Sequence, residues 1–144
     1  MQQFDFEPIY AALEAKVKAC GFKKVSRRVV AVDQVNIGDC PACFISQKNE
    51  DPVNLKGQPP KWNLDAELIV VVNAGNSLNV IPSALLNERL AALREAFEVH
   101  PVTGVPSGFG DLVSHAWISG SIELFDAGLG SQAVAIVPVS MLTA

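Results

Sequence analysis

Residues 59–73 read PPKWNLDAELIVVVN, and their pattern decides the fold. Polar side chains at Asn63, Asp65 and Glu67 alternate with apolar ones at Trp62, Leu64, Ala66 and Leu68. That is the two-residue period of a strand with one wet face and one dry face. From Leu68 to Val72 the alternation gives way to an aliphatic run, as expected where a strand is covered on both sides. One half of this strand should meet solvent and the other half should be sandwiched.

Upstream, Phe6, Ile9, Tyr10, Leu13, Val17 and Cys20 recur at helical spacing, with Asp5 as N-cap, Pro8 in the first turn and Gly21 as terminator. Phe22 to Val32 and Ala42 to Gln47 read as strands. Lys48 to Pro60, polar and rich in proline, reads as a long projecting loop. Downstream, Leu86, Leu90, Leu93 and Phe97 form the apolar stripe of a helix that starts near Pro82. His100 to Asp111 reads as loop. His115 to Phe125 and Gln132 to Leu142 read as two strands joined by residues 126–131, with Pro138 at an edge or strand end because it cannot donate to a ladder. The expected architecture is a single α+β domain over residues 1–144 in the order αβββαββ. It has a mainly antiparallel or mixed sheet of about five strands with two helices packed on one face.

With glycine counted, about 55% of the 144 residues are apolar, above the norm of roughly 45–50%. Only 18% are charged. This surplus points to apolar surface buried between subunits; a tightly packed monomer is the other reading. Met1 to Tyr10 lacks the basic start and apolar run of a signal peptide, and no run approaches the ~18 residues of a membrane span. The expectation is a soluble protein made in the cytoplasm, without membrane contact.

The net charge of −4 disfavours sequence-independent nucleic-acid binding. Six of the eleven cations, Lys16, Lys18, Lys23, Lys24, Arg27 and Arg28, fall between residues 16 and 28. They read either as a solvated helix face followed by a cation-protected edge strand or as a docking patch for an acidic neighbour.

Cys20, Cys40 and Cys43 are an odd set. Cys40-Pro-Ala-Cys43 matches the C-x-x-C spacing of redox enzymes and of half a zinc site. Redox chemistry wants its first thiol at a helix N-terminus, whereas Phe44, Ile45 and Ser46 continue as a strand. Zinc lacks a second ligand pair, since His100 and His115 are isolated. Phosphate-loop, nucleophile-elbow and metalloprotease motifs are absent, and Gly104, Gly108 and Gly110 neither follow a strand nor open a helix. Asp65 and Glu67 could hold a cation or act as acid and base, but a solvated strand face accounts for them. No catalytic residue, cofactor or metal is expected, which points to a structural role.

Three segments carry a family resemblance: residues 59–68 (PPKWNLDAEL); the helix from Pro82 to Phe97 with the turn at Pro101 to Gly104; and residues 112–120 (LVSHAWISG) with residues 133–139 (AVAIVPV). In these, and in the order of its elements, the chain resembles the tail terminator family of long-tailed bacteriophages, also called minor tail or tail completion proteins. The resemblance implies a homohexameric ring in the virion, at the head-proximal end of the tail tube. There the ring ends tube polymerisation and joins the head completion or connector protein, while DNA slides through without specific binding. Expected partners are other copies of the chain, the tube protein and the connector. Expected interface residues are Lys48, Asp51, Lys56, Trp62, Asp65, Glu67, His115 and Trp117. The alternatives are a small thiol-redox protein using Cys40 and Cys43, or another component of the head–tail connector.

Overall fold

The computed structural model describes residues 5–54, 56–98, 109–126 and 129–144. Its elements are α1 (Glu7–Lys18), β1 (Lys24–Ser26), two 3₁₀ turns (Val32–Gln34 and Ile37–Asp39), β2 (Ala42–Val53), β3 (Lys61–Asn73), α2 (Pro82–Ala96), β4 (Val113–Ile118), β5 (Glu123–Phe125) and β6 (Gln132–Thr143). They form one six-stranded sheet in the order β1-β2-β3-β6-β4, with β5 continuing the β4 edge of β6. Only β1 is parallel to its neighbour. The domain is α+β, as the pattern of residues 59–73 requires, and β3 is the middle of its sheet, bonded to β2 and β6 along its length.

The even residues of β3, from Leu64 to Val72, face both helices. They meet Ile9, Tyr10, Leu13 and Val17 of α1, Leu86, Leu90 and Leu93 of α2, and the odd residues of β6 from Ala133 to Met141. Each fully buried Leu, Ile or Val there contributes roughly 1.5–3 kcal/mol. Among the described residues, the opposite face is covered over one half only. After β1 the chain crosses that face as a strap, and its Val32 and Val35 pack with Ala42, Phe44, Val71 and Val134 in a second, smaller cluster. The aliphatic half of β3 is thus sandwiched and its alternating half is open.

Four boundaries differ from the sequence reading. The strand expected over Phe22 to Val32 shrinks to Lys24–Ser26, because the chain turns at Arg27 and Arg28 to become the strap. Lys48 to Val53 is the second half of β2, not loop. A β-bulge between Gln47 and Asn49 lets the strand absorb an extra residue, and pairing with β3 resumes from Asn49↔Asp65 to Val53↔Lys61. The strand expected over His115 to Phe125 is broken at residues 119–122. Pro138 lies inside β6 and explains the break. Its carbonyl accepts the Ser119 N–H at 2.9 Å, so its backbone faces the outer strand, where it has no N–H to offer. Finally, Asp5 does not cap α1. The N-cap is Phe6, which makes no side-chain cap bond, although the Glu7 N–H donates to Asp5 Oδ1 at 3.0 Å. Most of the loop expected over His100 to Asp111 lies outside the described residues.

Candidate functional site

The open half of the sheet face holds a connected cluster of polar side chains. Because β3 alternates, Asn63, Asp65 and Glu67 all emerge there, and the register sets Asp65 opposite Ser140 and Glu67 opposite Pro138. The Ser140 hydroxyl donates to Asp65 Oδ1 at 2.6 Å and the Asn63 side-chain amide donates to the same oxygen at 2.9 Å. Lys48, thrown outward at the bulge, pairs with Glu67 at 2.9 Å. The 119–122 excursion forced by Pro138 makes a rim. Between that rim and Lys48 lies a trough of about 500 Å³ lined by Asp65, Glu67, Glu123, Ser119, Ser121 and Ser140. Three carboxylates face one ammonium, so the trough repels phosphate at separations within the ~8 Å screening length of physiological salt. Among the described residues no group of His, Cys, Asp and Glu is arranged to hold a metal ion.

Along the same face toward the strap, the lining turns apolar. Val30, Val32, Ile69, Phe125, Val134 and Ile136 border a groove of about 390 Å³ that shares Ile136 with the acidic trough.

The expected interface residues divide by face. Register aligns Asp65, Ser140 and Trp117 in one row and Asp51, Asn63, Leu142 and His115 in the next. Lys48, Asp51, Asp65, Glu67, His115 and Trp117 therefore share the open side. Lys56 is exposed on the β2–β3 hairpin tip. Trp62 is separate from all of these. It lies on the helix side, packed at the margin of the main core with its ring 5.9 Å from Phe6. Sequence reasoning missed Ser119, Ser121, Glu123 and Ser140; their place depends on strand register, which carries no local signal. Of the basic cluster, Lys18 pairs with Glu14, Lys24 with Asp39 and Arg27 with Glu7 within the chain.

The two thiols of the C-x-x-C stretch lie in different surroundings. Cys43 is buried in the main core under the helices, whereas Cys40 sits half-buried at the sheet end against the smaller cluster. Burial pushes both thiols above the ordinary cysteine range, aided at Cys40 by the Asp39 carboxylate and at Cys43 by Cys20. The residues after Cys43 are strand, so no helix dipole opposes that shift. Thiolate absorbance titrated against pH should therefore show no ionisation of Cys40 or Cys43 at neutral pH. A thiol titrating below about 7 would reinstate thiol chemistry.

No family model matches the chain, and no curated protein matches it. Among solved structures, one chain of unstated function is similar at 15% identity with a TM-score of 0.52, over 99% of this chain and 97% of its own length. A chain from the "Virion of native gene transfer agent (GTA) particle" is similar at 15% identity with a TM-score of 0.49, over 94% of this chain and 92% of its own. The first of these likenesses is one of fold over essentially the whole domain.

Proposed function

We propose that this chain is a structural, non-enzymatic protein of a phage-like tail. Six copies close into a ring at the head-proximal end of the tail tube, stop tube polymerisation and present the surface that receives the head connector. The observation that carries this reading is the open, acidic half of the sheet face. Among the described residues, Asp65, Glu67 and Glu123 are countered there only by Lys48, on a face that no described element covers. An acidic wall suits a channel through which DNA must slide without sticking, since bound phosphates would release no counterions from it and would meet like charge. The sequence resemblance in residues 59–68, 82–97 and 112–120 supports the same assignment. In the free protein, the outer edge of β2 beyond Phe44 is guarded by the bulge, by Lys48 and by Pro52, devices that keep a sheet from polymerising on its own. A terminator has to stay open until a tube is available.

Imaging assembled tails with this protein labelled tests the proposal. The label is expected as a single ring at the head-proximal end. A label along the tube, at the distal tip or absent from the particle removes the terminator reading, and a label on the head side of the joint transfers the chain to the connector.

A further inference from the structure

The two free edges of the sheet have opposite chemistry. Among the described residues, β1 bonds only to β2, and β5 only to β6. Residues 22–28 (FKKVSRR), which form β1 and its exit before the strap turns onto the sheet face, carry Lys23, Lys24, Arg27 and Arg28 and no carboxylate. Residues 109–126, which form the other edge, carry Asp111, Glu123 and Asp126 and no Lys or Arg. Among the described residues, Lys23 and Arg28 on one edge and Asp111, Glu123 and Asp126 on the other make no ion pair. Both edges also expose apolar side chains, Val29 at 45% on the basic side, and Leu124 at 58% and Phe125 at 42% on the acidic side.

We infer that these edges are the two halves of one contact between copies of this chain, the β5 edge of one copy seated against the β1 edge and strap exit of the next. The inference rests on the ring reading and names the surfaces that close the ring. Two different patches on opposite sides of a subunit make a head-to-tail contact, which closes into a ring when the rotation allows. Unpaired cations on one patch and unpaired carboxylates on the other set the orientation, because turning either copy round brings like charges together. The β5 strand is only three residues long and starts with Glu123, so its backbone offers little to pair with. What it presents to a neighbour is the side chains of Leu124 and Phe125 beside the Glu123 carboxylate.

Covalent capture tests this without a tube, since a disulfide traps transient encounters. Val29→Cys and Leu124→Cys are made as separate proteins at exposed positions where folding is not at stake, with the unmodified chain as control for Cys20 and Cys40. Under mild oxidation each variant alone should stay monomeric, their mixture should give a cross-linked dimer, and the double variant should give a ladder of higher multimers. Adding Arg28→Glu to the Val29→Cys protein should lower the dimer yield about two- to fivefold, the scale of one exposed ion pair. Adding Glu123→Lys to its Leu124→Cys partner should restore the yield. The inference fails if the mixture gives no dimer above the control. It fails equally if either single variant cross-links to itself, or if the double variant stops at a dimer, the signature of a two-fold contact. These outcomes are separate from those of the imaging experiment. A ladder from a protein missing from tails would leave the contact and remove the terminator, whereas a terminal ring without a ladder would do the reverse.

Discussion

Deleting Asn49 to Gln58 is expected to unfold the domain, although the sequence alone presents this stretch as part of a long projecting loop. Asn49 to Val53 pair residue by residue with β3, from Asp65 back to Lys61. Glu50 also accepts the hydroxyl hydrogen bond of Tyr10 at 2.9 Å, and Tyr10 is itself only 2% exposed. The deletion would strip the outer partner from a strand whose Leu64 is completely buried and would leave a buried phenol without its acceptor. The combined loss is comparable to the entire stability of a domain, about 5–15 kcal/mol. The expected result is the disappearance of a cooperative urea transition. Replacing residues 54–60 by Asn-Gly is the contrasting experiment. Val53 and Lys61 are already partners across the strands, and a two-residue turn of that kind joins such a pair without strain. That variant should fold with a stability change of about 1 kcal/mol or less. If the tip reaches a neighbour or the tube, the variant should also fail to complete tails, and a normal yield of infectious particles would leave the tip without an assembly role.

The same stretch marks where the sequence stops being legible. Residues 59–73 announce a strand, and their change from alternating to aliphatic marks which half of the sheet face is covered. Both features follow from side-chain period, a local property. The helices are legible for the same reason, and α2 begins at Pro82 as its stripe implies. The bulge at Gln47/Asn49 defeats period reasoning, because one extra residue shifts the alternation and makes Lys48 to Val53 look like irregular polar chain. Valines in residues 22–32 read as one strand, but the partner edge accommodates only Lys24 to Ser26 before the chain leaves to cover Val71 and Val134. The candidate site was half legible. Asp65 and Glu67 stand out from their spacing, whereas Glu123 and Ser140 join them only through pairing between strands distant in sequence.

Two adjacent residues of β3 show how one-sided the core is. Leu68 points at the helices, is fully buried and belongs to the main cluster. Ile69 points the other way, is partly exposed, and lines the apolar groove under the strap. Replacing Leu68 by Ala removes apolar contacts from the middle of a sheet held by neighbours on both sides, so the cavity cannot collapse. The expected loss is about 2–5 kcal/mol. Replacing Ile69 by Ala opens a space that is already a groove, which water can enter, and the loss should be roughly 1 kcal/mol. Urea midpoints of the two variants measure the difference directly. Comparable losses would mean that the strap covers the second face as tightly as the helices cover the first, leaving no open groove. A small loss at Ile69 agrees instead with a groove side chain that meets solvent.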